Sequence, residues 1–505
     1  MKDLLRANSR CRFGISRVFN CWVRFYSSEP VPTTSFQPND SLFRRISRAG
    51  HPNISMAAVL DRWLEEGRDV KQSELQRIIK QLRNYRRTCH ALQVSMWMTN
   101  QRSHNLSPGD IAIQLDLISK VYGLQQAEKY FNSIPEDLRV FQVYGALLNC
   151  YAQNKSLEKA EAVMEKMRDL GSANTSLSYN AMLNLYLQLG KYEKLNTVIE
   201  EMEEKGIICD KFTYNIHLNA YGATSNFEGM EKLLKKMEVD PHVTVDWHAY
   251  IVAANWYLKT GLTEKCLVML KRSEQLISGK TRRRAYEIFL TLYAAAGKRD
   301  EVYRIWNLYK NLGKALNSGY LCIISSLMKL NDVDGAEKIL EEWENEHSVY
   351  DFRVPNCMIS TYCRKGLLEK ADAYVNRLIE SGKEPGAATW DRLATGYYVN
   401  GKMEKSVETL KRAILASRPG WMPNRLTFAA CLEYLRRQGN VEVVEELLEL
   451  FRGRGHSLTD IYDKLGSSIS NETLGSRALD QMEREEQIVS GETHEFVEFK
   501  DEGSS

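Results

Sequence analysis

Between Ser178 and Gly206 the chain reads "SYNAMLNLYLQLGKYEKLNTVIEEMEEKG", two apolar stripes parted by one glycine. Tyr179, Met182, Leu183 and Tyr186 fall at i, i+3, i+4 and i+7, and Leu195, Val198, Ile199 and Met202 repeat those offsets. Each set is one apolar face of an α-helix. Glu193, Glu200, Glu201, Glu203 and Glu204 give the second helix a charged outer face. Gly190 stands between them, where a glycine ends a helix in the left-handed conformation. Two such short helices cannot bury both stripes against each other, so the pattern demands neighbours.

The neighbours recur at a fixed spacing. Taking Tyr179 as marker, equivalent residues are Tyr144, Tyr179, Tyr214, Tyr250, Tyr286 and Tyr320, at intervals of 35, 35, 36, 36 and 34. Pro355, Trp390 and Phe428 continue the series. Eleven residues after the marker a glycine returns as Gly190, Gly261, Gly297, Gly366, Gly401 and Gly439. Five residues further on, Ala160, Ala336, Ala371 and Ser406 are small enough for paired helices to touch closely. Self-similarity at this period predicts a helical solenoid in which each unit packs on the next.

The tetratricopeptide repeat has a similar period, but its tryptophan-leucine-glycine-tyrosine first helix is absent. "FTYNIHLNAYGATSNFEGMEKLLKKME" and "SYNAMLNLYLQLGKYEKLNTVIEEMEEKGIICD" instead resemble the pentatricopeptide repeat of the P-type. "EKAEAVMEKMRDLG" and "YCRKGLLEKADAYVNRLIESGKEPG" are similar to its second half. The resemblance implies an all-α fold, a right-handed α-solenoid of about eleven 35-residue helix-turn-helix repeats. Their starts fall near Gln72, Pro108, Phe141, Ser176, Lys211, Trp247, Arg283, Asn317, Phe352, Ala387 and Arg425. "LFRRIS" and "VLDRWLEEGRDVKQSELQRIIKQLRNYRRTCHALQVSMWM" ahead of the clearest units resemble one plant mitochondrial subgroup.

Composition changes the picture mainly at the ends. Residues 1–26 contain Lys2, Arg6, Arg10, Arg12, Arg17 and Arg24 among Leu4, Leu5, Phe13, Ile15, Phe19 and Trp22, with Asp3 the one acid. That is the composition of a mitochondrial transit peptide, with Arg24 at −3 from a cleavage between Tyr26 and Ser27. A chloroplast peptide would carry more Ser and Thr. The expected organisation is a transit peptide at 1–26, a linker and capping helix at 27–71, the repeat solenoid at 72–455 and an acidic, disordered tail at 456–505. The whole chain has 68 Lys and Arg against 65 Asp and Glu. Without residues 1–26 and the acidic stretch Glu483 to Glu502 the balance is 60 against 56. This is a weak basic footprint, which speaks against tight nonspecific binding to RNA. No apolar run approaches the length of a membrane helix, so no membrane insertion is expected.

Enzymatic and metal chemistry find no motif. There is no P-loop, dinucleotide-binding glycine pattern or nucleophile elbow. Some plant pentatricopeptide proteins end in a zinc deaminase, whose His-x-Glu and Cys-x-x-Cys hold the metal and its general acid. His494-Glu495-Phe496 lacks that offset, and no Cys-x-x-Cys occurs. Cys357 and Cys363, with five residues between them, do not have metal-ligand spacing. The expectation is a non-enzyme with no cofactor and no metal.

RNA recognition is the function the resemblance implies. Helical-repeat readers assign about one base to each repeat, through two or three side chains. In this family those are the fifth and last residues of a unit, where short amides, hydroxyls and carboxylates can pair with a base edge. Asn180 with Asp210, and Asn215 with Asp246, match the combination associated with uridine. Asn356 with Gly386 and Asp391 with Asn424 match in part; Gly145 with Thr175, Ile251 with Arg282, Glu287 with Leu316 and Leu321 with Asp351 do not. Asn is also a common helix cap, so each of these positions has a structural reading as well. Phosphate contacts are expected from Arg77, Lys80, Arg83 and Arg87, with Tyr85 for stacking, and from Lys280, Arg282, Arg283 and Arg284. The expected partners are mitochondrial RNA, messenger or ribosomal, and proteins of the mitochondrial ribosome, within the matrix. A protein-binding repeat scaffold without RNA contact is the alternative.

Overall fold

In a computed structural model, residues 41–49, 54–100, 106–240, 243, 245–346, 350–418 and 421–453 are described. The transit-peptide segment with Tyr26 and Ser27, and the acidic tail, lie outside the described residues, as does the side chain of Lys280. Among the described residues there are 24 α-helices, two short 3-10 turns and no strand.

Contacts divide the chain into two compact units, residues 1–244 and 245–505. The first holds α1 (Leu42–Arg48), α2 (Met56–Glu65) and five hairpins. These are α3 (Gln72–Asn84) with α4 (Thr88–Asn100), α5 (Pro108–Tyr122) with α6 (Leu124–Ser133), α7 (Phe141–Gln153) with α8 (Leu157–Asp169), α9 (Ser176–Gln188) with α10 (Tyr192–Glu204), and α11 (Lys211–Ala223) with α12 (Phe227–Val239). The second unit has six: α13 (Trp247–Lys259) with α14 (Thr263–Gln275), α15 (Arg282–Ala295) with α16 (Arg299–Lys310), and α17 (Asn317–Lys329) with α18 (Val333–Glu346). They continue as α19 (Arg353–Arg364) with α20 (Leu368–Glu380), α21 (Ala387–Val399) with α22 (Met403–Leu415), and α23 (Arg425–Arg437) with α24 (Val441–Gly453). The first helices begin where the repeat period puts them, with α15 and α19 each displaced by one residue. In the first unit α5, α7 and α9, and in the second α15, α17, α19 and α21, each pack on their own partner and on the first helix of the next hairpin.

The periodic stripes explain this stacking. Tyr179, Met182, Leu183 and Tyr186 of α9, and Leu195, Val198, Ile199 and Met202 of α10, are all buried. Each fully buried large apolar side chain contributes roughly 1.5–3 kcal/mol, which is what offsets the ordering of helices too short to be stable alone. Ala160, Ala336, Ala371 and Ser406 are wholly covered, so paired helices do approach there. Gly190 has φ +67°, and the five equivalent glycines are also left-handed. Where the glycine is missing the backbone keeps the same turn: Lys155, Ser225 and Asn331, each eleven residues after its marker tyrosine, have φ 55°, 55° and 59°. The first hairpin turns at Arg86, φ 55°. Leu42 and Ile46 of α1 are fully buried in the same apolar cluster as the hairpins, so the short leading helices close the end of that core.

Candidate nucleic-acid interface

Asp210 precedes α11 and caps it, its Oδ1 accepting the N–H groups of Phe212 at 2.8 Å and Thr213 at 2.9 Å. The Asp210 N–H donates in turn to Thr213 Oγ1, completing a reciprocal cap. Thirty residues earlier, Asn180 sits one turn into α9. Its Nδ2 donates to both Asp210 oxygens, at 3.1 and 3.2 Å, and its Oδ1 accepts the Thr213 hydroxyl at 2.8 Å. Ser176 donates to the second carboxylate oxygen at 2.7 Å. The predicted amide and carboxylate therefore meet, both half-buried, and the hydroxyl of Thr213 sets which way the amide points. One cap position serves the fold and presents a polar pair.

Asn215 and Asp246 fall in different units. Asn215, on α11, is half-buried; its Oδ1 is shielded and has no hydrogen-bond partner among the described residues. Asp246 caps α13 by accepting the His248 N–H at 3.0 Å.

The partial pairs of the second unit are more closed. Thr389 donates to Asn356 Oδ1 at 2.8 Å, repeating the Thr213–Asn180 bond, but Gly386 supplies no carboxylate. Asp391 accepts the Asn424 N–H at 3.0 Å, and Asn424 caps α23 through the N–H groups of Leu426 and Thr427. Asn356 and Asp391 are 7% exposed and Asn424 3%, so a base edge has little access to them.

The basic positions also separate. Arg77 and Lys80 are exposed on α3, Arg77 lying 3.9 Å from Glu74. Arg83 is bound to the buried Asp116 at 3.1 Å. Arg87 donates to the carbonyls of Ile46, Ser47 and Ala49, at 3.2, 3.3 and 2.8 Å, and so closes the C-terminal end of α1. Arg283 donates to the carbonyls of Lys314 and Leu312 and lies over the Tyr309 ring. Arg282 and Arg284 are exposed. Arg83, Arg87 and Arg283 thus have work in the fold.

Two features escaped the sequence reading. Gln76, the fifth residue of the first hairpin, donates to Asp110 at 2.9 Å, and Asp110 is bonded in a capping box with Ser107. The same numbering that marks Asn180 marks Gln76. The threonine third in the next unit, at Thr213 and Thr389, orients the preceding amide; its recurrence in "FTYN" and "ATWD" was the available signal.

Charge on the second helices is neutralised between neighbouring hairpins. Lys194 binds Glu161, Arg168 binds Glu201 and Lys236 binds Glu203 in the first unit. Arg304 binds Glu274, Lys370 binds Glu337 and Arg377 binds Glu344 in the second. Burial pushes the Glu201 carboxyl up, but hydrogen bonds from Arg168, Lys205 and Tyr179 win and hold it at about 2. Among the described residues no helix is long and apolar enough to cross a membrane, and no three His, Cys, Asp or Glu cluster as a metal site would need.

Residues 174–223 match the PPR repeat family model, and residues 142–172, 212–241, 319–347 and 354–382 match the PPR repeat. A mitochondrial pentatricopeptide repeat-containing protein of Arabidopsis thaliana is 46% identical over 448 residues, 88% of this chain and 91% of that protein. The Arabidopsis thaliana large ribosomal subunit protein mL101 (rPPR4) is 41% identical over 433 residues, 84% of this chain and 87% of its own. The crystal structure of PPR10 from maize aligns over 86% of this chain and 64% of that one, at 16% identity and TM-score 0.47. The chain spans just under two thirds of the length of that structure. With helical hairpins at the repeat period and relatives matching over nearly their whole length, the chain belongs to the pentatricopeptide repeat family.

Proposed function

We propose that this protein is an RNA-binding factor of the mitochondrion that serves organellar RNA metabolism or translation. The observation that carries the reading is the Asn180–Asp210 pair, polar and half-exposed at the fifth and last positions of one repeat. In this reading residues 1–26 are a transit peptide cut between Tyr26 and Ser27, and the protein works in the matrix. Residues 27–71 cap the repeats of 72–455, and 456–505 form an acidic tail. No catalytic step is involved.

Association with the mitochondrial ribosome is favoured by two things. One relative is named as a large-subunit protein, and most fifth and last positions here offer no open polar pair, so a long sequence code is not available. Ultraviolet crosslinking of the imported protein, followed by sedimentation, tests both statements. RNA adducts sedimenting with a ribosomal subunit are the expected result. Adducts to protein alone would favour the scaffold reading, and RNA adducts that sediment away from subunits would favour a free RNA factor.

A further inference from the structure

Charge along this nearly balanced chain is uneven. Residues 41–100 carry eleven Lys and Arg against five Asp and Glu, the region of α1 to α4. Several of those cations are already occupied. Arg45 holds Glu66 through two bonds of 2.7 Å, and Arg45 and Arg68 both lie over the Trp63 ring. Arg83 is paired with Asp116, and Arg87 clamps three carbonyls at the end of α1.

That last contact has a second effect. By seating the α3–α4 turn against the C-terminal end of α1, Arg87 brings two basic segments to one edge of the first unit. Arg48 is exposed in the last turn of α1 and Arg86 at the apex of the turn. Lys80 is exposed on α3, on the face it shares with Asn84 at four-residue spacing, which leads into the turn. Among the described residues none of Arg48, Lys80 and Arg86 pairs with a carboxylate. Tyr85, between Asn84 and Arg86, is 70% exposed, a large ring left in solvent beside unneutralised cations.

The backbone adds a further observation. Arg86 has φ 55°, at a turn position that glycine fills in six later hairpins and Lys155, Ser225 and Asn331 fill in three. A left-handed conformation costs an L-residue roughly 1–2 kcal/mol, which glycine would avoid. A long cation therefore stands at the tip of a turn whose geometry favours glycine, and its charge is free.

We propose that this edge is a phosphate-binding surface for the backbone of double-helical RNA, with Arg48, Lys80 and Arg86 neutralising phosphates and Tyr85 stacking on an unpaired base beside the helix. An RNA double helix keeps its readable base edges in a groove too narrow for side chains, and is held through phosphate and shape. Cations with no partner suit that target, and aromatic rings take up bases that leave the stack. The inference rests on the RNA-binding reading above and adds a second, sequence-independent surface to it, separate from Asn180 and Asp210.

The test uses the full chain with two RNAs, a stem–loop without adjacent uridines and a single strand carrying two. A triple variant, Arg48→Gln, Lys80→Gln and Arg86→Gly, removes the charges. The glycine falls where it is sterically preferred, so the fold is expected to survive, which thermal unfolding checks. By analogy with duplex DNA each lost phosphate contact lowers the slope of log K against log salt by about 0.9, so three lower it by about 2.7 and weaken stem–loop binding at 0.1 M salt on the order of several hundredfold. Asn180→Val should leave stem–loop binding unchanged. An equal stem–loop affinity and salt slope for parent and triple variant overturns the proposal, and uridine-strand binding by the parent would still uphold the RNA reading. A folded parent that binds neither RNA overturns both.

Discussion

At the scale of single residues, the turn between the two helices of a repeat is governed by one dihedral angle. Gly190 adopts φ +67° without cost, whereas Lys155, Ser225 and Asn331 adopt the same conformation with a Cβ in place. Gly190→Ala should therefore destabilise the protein by a net of about 0.5–1 kcal/mol, the roughly 1–2 kcal/mol left-handed penalty less about 0.5–1 kcal/mol of chain entropy. Lys155→Gly removes that left-handed penalty and adds about 0.5–1 kcal/mol of chain entropy, for a net gain of about 0.5–1 kcal/mol. Thermal or urea unfolding of the two variants measures both; a Lys155→Gly protein less stable than its parent would show that the lysine is held by something other than the turn. The glycines were readable in the sequence because their spacing repeats. The left-handed lysine, serine and asparagine were not marked by residue type; they share the local helix-end hydrogen bonds of the glycine turns and are found only by counting eleven residues from the tyrosines. The burial of Asn356, Asp391 and Asn424 was not readable either, since it depends on hairpins more than thirty residues away.

At the scale of elements, the apolar stripes predict where each helix lies, and the charged faces predict less. Sequence spacing marks Glu201 as one of five carboxylates on an outer face, with nothing to single it out. In the structure it accepts bonds from Arg168 of the preceding hairpin, at 2.7 and 2.9 Å, and from Lys205 and Tyr179. Its carboxyl sits at about 2, below the ordinary glutamate value; burial pushes Glu301 and Glu337 up, but hydrogen bonds and nearby cations outweigh it and leave them lowered, and Glu161 is lowered chiefly by its hydrogen bond from Lys194. A carboxylate with a depressed folded-state pKa stabilises the fold above its unfolded value and loses that contribution as pH falls toward the folded one. Stability should thus drop between about pH 4.5 and pH 2. Glu201→Gln should flatten part of that drop while lowering stability near neutrality. Unfolding followed across this range checks it, and a variant with the parent's pH profile would mean the pair is not linked to folding. Arg87 and Arg283 teach a related lesson. A basic run is visible in a sequence, but the carbonyls that occupy it are set by a neighbouring element, forty residues off in the case of Arg87.

At the scale of the whole molecule, the period and the basic leading residues were legible together, and they led to a repeat protein of this family. The period already showed unequal fifth and last positions; what it could not convey is which of the polar ones are closed in. Asn180 and Asp210 form an open polar pair, Asn356 and Asp391 are closed in, and apolar Ile251 and Leu321 occupy the same place in other repeats. Contact with a base is therefore expected from few repeats, first of all from the pair at Asn180. The most direct measurement is the affinity of the full chain for RNA carrying adjacent uridines, compared with that of Asn180→Val across a range of salt. Loss of the amide removes edge hydrogen bonds and spares phosphate contacts, so binding should weaken by on the order of 1–3 kcal/mol, by analogy with base contacts in DNA, with little change in salt slope. The loss should shrink when the uridines are replaced. A folded variant that binds uridine RNA as tightly as its parent would contradict the assignment of Asn180 as a reader.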